Sequence, residues 1–258
     1  MRPFLQCLLL CLLLPLLSAA APADIFSGYS GTVILYDLQT KQYSGLNQAQ
    51  WDVGALPAST FKIPNSLIGL ESGVIPNIDF VIPWDRVKRP IEAWNQDHTL
   101  KSAFAVSCVP YYQELARRVG FARMQDLVGK LDYGSMDVRA GNLDEFWLRG
   151  YSRITPRQQL QFLTRLIERK LPFSQRSQDL VESIMLRESK PAYQYFGKSG
   201  WAFEGKHETG WFVGFVRRGP KAWAFASRLE ADSPDAAKSG PASEAAAKSW
   251  LRGQGLID

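Results

Sequence analysis

Cysteine is scarce in this chain, whose 258 residues include three. Two of them, Cys7 and Cys11, lie in an apolar run at the N-terminus, so Cys108 is the only cysteine in the remainder. A single thiol cannot form an intramolecular disulfide, and the folded protein has to depend on its hydrophobic core. We interpret Cys108 as a small buried side chain.

Histidine is scarcer still, and charge is nowhere concentrated. The two histidines, His98 and His207, lie outside any catalytic motif, which argues against a Ser-His-Asp triad. The formal net charge is +5, but basic residues occur singly or in short pairs such as Arg117-Arg118. This distribution indicates solvated surface rather than a nucleic-acid interface, and a modest positive field suits small anionic substrates.

A long hydrophobic run occurs only at the N-terminus. The run from Phe4 to Leu17 follows one early basic residue and precedes small residues with A-x-A spacing. This pattern is typical of a secretory signal peptide and is short for a membrane span. We therefore predict a signal peptide over residues 1–23, cleaved after Ala21 or Ala23. The expected product is a periplasmic or secreted protein that has no membrane segment after cleavage.

The pattern of apolar residues changes twice along the remaining chain. Thr32–Tyr36 and Lys41–Ser44 are β-prone segments about a polar turn, the middle of the chain is mainly helical, and three aromatic strands and a helix follow. We predict an α+β fold of the α/β sandwich type. Residues 24–65 and about 190–258 form one antiparallel sheet flanked by helices, and residues about 66–189 form an inserted helical part. A cleft between the two parts is the expected place for a site.

Two of the helical segments have clear ends. In "TPRQQLQFLTRLIERKLP", Thr155 suits the N-cap position and Pro156 the first helical position. The segment "VPYYQELARRVG" carries an apolar stripe and ends on Gly120. Both patterns predict amphipathic helices that pack against a core.

The segment "ASTFKIPNSLIGL" begins an apolar helix on Ser59 and carries Lys62 one turn later. Ser59 suits the N-cap position, and a spacing of three places its hydroxyl beside the Lys62 amine. Lysine is rarely buried, because removing its charge from water is costly or lowers its pKa. The motif alone leaves two interpretations open: Lys62 reaches solvent and has no role, or the site holds a near-neutral amine beside a hydroxyl.

Three further motifs follow in order. "AVSCVPYY" places Ser107 and Val109 just before a helix, and "LDYGSMD" places Tyr133 in a turn. "FGKSGW" places Lys198 on a strand, followed by Trp201. Each short motif occurs often by chance. Taken alone, the lysine is explained as an exposed residue on a strand, and the tyrosine as a residue packed in the core. The ordered set of S-x-x-K, S-x-V, Y-G-x and K-S-G behind an export signal is much less common.

With these motifs the sequence resembles the class D serine β-lactamases, the oxacillinase type. The likeness runs through "PASTFKIPNSLIGLESGVI", "WDRVKRPIEAWNQDHTLKSAFAVSCVPYYQELARRVG", "LDYGSMD", "FWLRGYSRITPRQQLQFLTRL" and "GKSGWA", from about residue 27 to 256. Class A enzymes are less similar, because no S-D-N stands where "SCV" does. The resemblance implies the penicillin-recognising serine enzyme fold and hydrolysis of β-lactam antibiotics, which gives resistance. It implies no metal and no cofactor, apart from a need for CO2 or bicarbonate.

Hydrolysis of an amide requires a nucleophile, a base and donors for the developing oxyanion. Ser59 Oγ is the candidate nucleophile, and the backbone N–H groups of Ser59 and Trp201 can form an oxyanion hole. Lys198 adds positive charge near the substrate carboxylate, the Ser199 hydroxyl can bind that carboxylate, and Ser107 can relay a proton to the leaving nitrogen. The remaining substrate-binding candidates are Val109, Tyr133, Gly200 and Lys238.

For the base, the resemblance implies that Lys62 reacts with CO2 to become N6-carboxylysine. The residues expected to surround its amine and keep it neutral are mostly apolar: Phe61, Val106, Trp147 and Leu148. The indole N–H of Trp147 and the Ser59 hydroxyl would hold the carbamate. The modified Lys62 would then deprotonate Ser59, and later the water that hydrolyses the acyl-enzyme.

The sequence departs from the family pattern in three places. Y-G-N is Y-G-S here, with Ser135 in place of the amide, and K-T-G is K-S-G. Family members also carry an arginine for the substrate carboxylate near the position of "DAAKSG", which offers only Lys238. Arg228 lies earlier, on a predicted strand. Carboxylate binding is therefore expected to rest on Lys238, or on Lys198 and Ser199.

Two other functions fit the same nucleophile and fold. An exported penicillin-binding D,D-peptidase would deacylate β-lactams slowly, and a β-lactam sensor domain would stay acylated. The apolar surroundings of Lys62 and Trp147 favour the lactamase. The expected partners are small β-lactams and not nucleic acid, and the sequence leaves open whether the protein is a monomer or a homodimer.

Overall fold

The computed structural model describes residues 25–232 and 239–258. Its main sheet has six antiparallel strands in the order β2-β1-β8-β7-β6-β5. These strands are β1 (Ser30–Asp37), β2 (Gln42–Leu46), β5 (Leu186–Ser189), β6 (Gln194–Glu204), β7 (His207–Arg218) and β8 (Lys221–Ala231). Because β1 pairs with β8, both ends of the described chain contribute to one sheet, as predicted. The predicted signal peptide, residues 1–23, lies outside the described residues.

Helices cover both faces of the sheet. They are α1 (Lys62–Glu71), α2 (Leu100–Ala105), α3 (Val109–Val119), α4 (Phe121–Leu131), α5 (Pro156–Ile167), α6 (Gln175–Met185) and α7 (Ser239–Gly253). Helix α1 is the centre of the inserted part, where it packs against α3, α4 and α6. Helix α7 packs on β6, β7 and β8 and encloses a separate apolar cluster with them. The predicted α+β architecture is confirmed.

Some short elements were not predicted. Strands β3 (Val81–Ile82) and β4 (His98–Thr99) form a two-stranded sheet within the inserted part, and two residues are too few to show a period. Strand β5 follows α6 without a turn and begins before the predicted boundary at about residue 190. Helix α5 belongs to the inserted part in sequence but packs on β8 and β1. The two parts therefore interlock.

The predicted start of α5 and the predicted end of α3 are confirmed. The Thr155 hydroxyl accepts from the Gln158 backbone N–H at 3.1 Å, and the Gln158 side chain accepts from the Thr155 N–H at 2.9 Å. This reciprocal pair satisfies two donors that the start of α5 would otherwise leave unpaired. Helix α3 ends at Gly120, whose φ of 80° is readily adopted by glycine.

An aromatic cluster holds the start of α1 in place. The ring of Phe61 stacks on Trp147 at 5.6 Å and meets Phe146 edge-on at 4.9 Å. All three rings are fully buried, and burying a side chain of this size contributes about 1.5–3 kcal/mol. The Trp147 carbonyl also accepts from the Ala58 N–H at 2.9 Å. The turn that precedes α1 is thus fixed between the sheet and the inserted helices.

Candidate active site

Ser59 lies in a 3-10 turn, Ala58–Phe61, that leads directly into α1. The prediction that Ser59 caps the helix is wrong, because Pro57 occupies the N-cap of this turn and no side chain caps it. The Ser59 hydroxyl instead accepts from Lys62 Nζ at 2.7 Å. The expected contact between hydroxyl and amine is therefore present, and the Ser59 Oγ is not used for capping.

Lys62 is fully buried at this position. Burial lowers the pKa of its amine to about 7, against a smaller opposing effect of the Cys108 thiol. The Tyr112 ring lies 5.2 Å from Nζ and forms part of the enclosure. Of the two interpretations that the motif left open, the structure supports a near-neutral amine beside a hydroxyl.

A second buried lysine, Lys198 on β6, approaches from the sheet. Its Nζ donates to Ser107 Oγ at 3.1 Å, to the Ser199 carbonyl at 3.0 Å and to Ser199 Oγ at 3.3 Å. Burial, and then repulsion by the charge of Lys62, holds the Lys198 pKa well below its usual range. Ser107 occupies the tight turn between α2 and α3 with a φ of 55°. This rare conformation for serine places its hydroxyl at the amine.

These groups open into one groove between the sheet and the inserted part. Its volume is about 400 Å³, and mostly apolar walls surround the polar groups. The lining residues are Ser59, Ile91, Trp94, Val106, Ser107, Val109, Leu148, Ser199, Gly200, Trp201, Gly240, Pro241 and Glu244. A concave apolar site with a few convergent polar groups is typical of small-molecule binding.

The indole of Trp147 lies behind the Ser59 turn. Its Nε1 is buried, and no hydrogen-bond acceptor reaches it among the described residues. A buried donor without a partner costs about 1–3 kcal/mol, so such groups are rare and call for an explanation. The Trp147 ring is held by its stacking on Phe61, and its carbonyl is held by the hydrogen bond from the Ala58 N–H, one residue before Ser59.

Comparison with known proteins assigns the family. Residues 31–252 match the family described as the penicillin binding protein transpeptidase domain. The chain is 40% identical to the β-lactamase OXA-48 of Klebsiella pneumoniae over 205 residues. These residues cover 80% of this chain and 77% of that protein. The chain belongs to the class D β-lactamases.

Two further comparisons bear on this assignment. The class D β-lactamase structure from Nostoc superposes with a TM-score of 0.86 at 38% identity, covering 91% of this β-lactamase and 98% of that chain. The regulatory protein BlaR1 of Bacillus licheniformis is 30% identical over 217 residues, which cover 84% of this chain and 36% of BlaR1. The fold is thus that of the penicillin-recognising enzymes.

The structure of this class D β-lactamase brings most of the predicted site residues together. Ser59, Ser107, Val109, Ser199, Gly200 and Trp201 line the groove, and Lys198 reaches its edge through Ser107. Gly200 is tightly packed: a Cβ there would lie 3.0 Å from the Pro57 carbonyl oxygen, so its neighbours would have to move by a few tenths of an ångström. Lys238 lies outside the described residues.

Tyr133 is a wrong prediction as a substrate-binding residue. It is 1% exposed and lies in the core, where its hydroxyl donates to Gln159 Oε1 at 2.8 Å and lies 3.0 Å from Thr60 Oγ1. Glycine at the next position permits the turn, since Gly134 has a φ of 68°. Nothing in the sequence indicated which side of that turn the ring would face.

Two of the residues expected to surround Lys62 lie at the groove surface instead. Val106 is 36% exposed and Leu148 is partly buried, and both line the groove. Phe61 and Trp147 are fully buried. Tyr112 was not predicted as a neighbour of Lys62, although it belongs to the "VPYY" segment of the S-x-V motif.

The groove also contains residues that the sequence analysis did not select. Trp94 lines it and donates from its indole N–H to the Val106 carbonyl at 3.0 Å. Glu244 of α7 lines the end near Ser199 and pairs with Lys248 at 3.0 Å and Arg187 at 3.4 Å. An aromatic residue in "EAWNQDH" was the only signal for Trp94, and Glu244 had none.

Among residues 25–232 and 239–258, no helix is long and apolar enough to cross a membrane. The same residues contain no group of three or more His, Cys, Asp or Glu side chains that could hold a metal ion.

Proposed function

We propose that this class D β-lactamase hydrolyses the amide of penicillin-type antibiotics through an acyl-enzyme on Ser59, with Lys62 as general base. The observation that carries the proposal is the 2.7 Å hydrogen bond from the Lys62 amine to Ser59 Oγ at a fully buried lysine. A base must reach the proton that it removes, and its pKa should lie near the working pH. The Lys62 side chain reaches the Ser59 hydroxyl, and the amine pKa of about 7 leaves a large fraction of the amine neutral near neutral pH.

Acylation needs a route for the proton to the leaving nitrogen. Ser59 Oγ forms the new bond to the carbonyl carbon, the C–N bond of the ring breaks, and the nitrogen takes up a proton. Ser107 Oγ lies in the groove and receives a hydrogen bond from Lys198 Nζ at 3.1 Å. Ser107 is therefore proposed to pass a proton to the nitrogen and to be resupplied from Lys198.

The oxyanion is proposed to bind two backbone N–H groups. Ser59 is the second residue of its 3-10 turn, so its N–H is one of those that a helix start leaves without an internal partner. The other donor is the N–H of Trp201, which lines the same groove. Each such donor typically contributes about 2.7–4 kcal/mol to the barrier reduction.

The substrate carboxylate is proposed to bind Lys198 and Ser199. Arg228 is not available for it, since its guanidinium is 1% exposed and donates to the Val53 carbonyl and to Gln50 Oε1. Ser199 lines the groove together with the nucleophile, and Lys198 Nζ donates to its hydroxyl at 3.3 Å, so an anion bound there would favour the protonated form of the Lys198 amine. Lys238 remains a candidate for a supporting cation.

Lys62 is proposed to work as N6-carboxylysine, formed from its neutral amine and CO2 with release of one proton. The residues present fit this group: the amine is buried with a pKa of about 7, and the buried Trp147 Nε1 donor has no partner within residues 25–232 and 239–258. Trp147 and the Ser59 hydroxyl would hold the carboxylate. The modification supplies a carboxylate-like base in place of an amine.

Activity is therefore expected to fall below about pH 7 and to be restored by bicarbonate. The lowered pKa leaves the Lys62 amine neutral above about 7, and at pH 5 only about one molecule in a hundred carries a neutral amine that can take up CO2. Initial rates are measured after incubation at pH 5 to 8 with and without bicarbonate. ¹³C NMR after labelling with ¹³C-bicarbonate should show one carbamate signal, absent in Lys62→Ala. Indifference to bicarbonate without such a signal would refute this base.

Export, the class of substrate and the need for a cofactor are proposed from the sequence. The protein is proposed to be exported to the periplasm or secreted through residues 1–23, and to act on small β-lactams there. It is proposed to need no cofactor beyond CO2 or bicarbonate. A monomer and a homodimer are both compatible with the groove, whose described lining residues all belong to one chain.

Steady-state turnover of a chromogenic cephalosporin tests the function. A lactamase completes many turnovers per Ser59, whereas a sensor domain or a D,D-peptidase releases about one equivalent of product and remains acylated. Mass spectrometry of the protein during the reaction identifies the adduct on Ser59, and Ser59→Ala is the control. Hydrolysis of a D-Ala-D-Ala peptide would then separate a peptidase from a sensor. A single equivalent from the wild type would overturn the proposed function.

A further inference from the structure

Glu208 of β7 is a buried carboxylate in an apolar setting. It is 1% exposed, and its cross-strand neighbours are Phe203 and Ala231. Within the described part of the chain, the structure records no ion pair between Glu208 and a basic side chain. An unpaired buried carboxylate costs several kcal/mol unless good donors compensate it. Its position therefore requires a specific explanation.

Among the described residues, the donors to Glu208 come from two different walls of the groove. The indole Nε1 of Trp201 donates to Oε2 at 2.8 Å, and the backbone N–H of Ser239 donates to Oε1 at 3.4 Å. Trp201 stands on β6 and is 40% exposed in the groove. Ser239 begins α7, and the next residues, Gly240 and Pro241, line the same groove. One carboxylate thus joins the strand wall to the helix wall.

The packing around this carboxylate leaves little room for movement. A Cβ on Gly240 would lie 3.0 Å from Trp201 Cγ, so the start of α7 is pressed against the indole. A Cβ on Gly210 would lie 2.1 Å from the Ser239 carbonyl oxygen, so the same turn is also pressed against β7. The start of α7 therefore packs closely against both Trp201 and β7, and the Glu208 carboxylate is hydrogen-bonded at this junction.

We propose that Glu208 is a positioning residue that orients Trp201 and the start of α7. Through them it sets the width of the groove beside Ser199 and the direction of the Trp201 backbone N–H. Glu208 is not among the described residues that line the groove. This inference rests on the proposed function, because its consequence is measured on a bound β-lactam.

A double-mutant cycle between Glu208 and Trp201 tests the inference. Glu208→Ala is expected to lower kcat/KM for a chromogenic β-lactam about tenfold or more, since small displacements of groups that position substrate have effects of this size or larger. In Trp201→Phe the indole N–H is already absent. Adding Glu208→Ala to that variant is therefore expected to lower kcat/KM by a much smaller factor than it does in the wild type. The kcat, KM and melting temperature are measured for all four proteins.

A matched control separates positioning from stability. Glu182 is also a buried carboxylate, but it pairs with Arg169 and Arg217 away from the groove. Glu182→Gln is expected to lower the melting temperature and leave kcat/KM unchanged. The positioning role is wrong if Glu208→Ala lowers the melting temperature alone, or if it lowers kcat/KM equally with and without the indole N–H.

Two further measurements keep the test decisive. If Glu208→Ala does not fold, Glu208→Gln takes its place in the cycle, because an amide keeps the volume but retains one acceptor oxygen for two donors. The same cycle is repeated in Ser59→Ala protein by measuring the Kd for a penicillin in each variant. This measurement requires no turnover. A wild type that binds but does not hydrolyse penicillin would count against the proposed function, while coupling in Kd would still support the role of Glu208.

Discussion

Lys62→Ala protein is expected to bind β-lactams and to lose both acylation and turnover. In the structure Lys62 Nζ provides the hydrogen bond to Ser59 Oγ, and no other basic side chain is recorded as bonded to that hydroxyl among the described residues. General base catalysis by a positioned side chain contributes about 10²–10⁴-fold, so losses of that order are expected in each step. Binding should persist, because Trp201, Ser199 and the groove walls are unchanged.

The measurement combines stopped-flow acylation with mass spectrometry of the intact protein. Lys62→Met is the companion variant: it keeps the side-chain length, removes the buried amine and should be at least as stable as the wild type. Lys130→Ala is the matched lysine control, since Lys130 is exposed and pairs only with Asp126 in the structure. Acylation of Lys62→Met at the wild-type rate would show that another group removes the Ser59 proton.

Local spacing explains why the Ser59–Lys62 contact was predictable. Two residues spaced three apart in a helical turn lie on the same side of the helix, so their side chains meet independently of the tertiary structure. The contact between Lys198 and Ser107 joins residues 91 positions apart, and no period in the sequence reports such a distance. The resemblance of the ordered motifs to a family predicted that both residues belong to one site, but this contact was not predicted. Burial of Lys62, which decides its pKa, is likewise a property of the assembled core.

The same distinction applies to the fold. Strands β6 to β8 are long and rich in aromatic and β-branched residues, so their antiparallel arrangement was predicted and is confirmed. Strands β3 and β4 exist through tertiary pairing of two residues each. The prediction for Tyr133 failed for a related reason: the partners of its hydroxyl, Thr60 and Gln159, are distant in sequence. A residue beside a turn glycine can face the groove or the core, and these partners decide it.

Trp147→Phe is expected to reduce turnover about as strongly as loss of the base, and added bicarbonate should restore a large part of it. The substitution keeps an aromatic ring against Phe61 and removes the indole N–H, which has no partner among the described residues. Removing a buried donor that is never satisfied should be neutral or stabilising apart from the lost ring volume. If that donor holds the carboxylated Lys62, its loss shifts the modification toward the free amine, and a higher bicarbonate concentration opposes the shift.

Trp250 of α7 offers the matched comparison, because its indole Nε1 is also buried without a partner in the structure. Trp250→Phe should leave turnover, its bicarbonate dependence and the ¹³C carbamate signal at wild-type values. Trp147→Phe should weaken the carbamate signal in proportion to turnover, and both should recover together as bicarbonate is raised. If the two tryptophan variants behave alike, the Trp147 donor serves only packing. If Trp147→Phe loses turnover with a full carbamate signal, the indole acts on a later step than formation of the base.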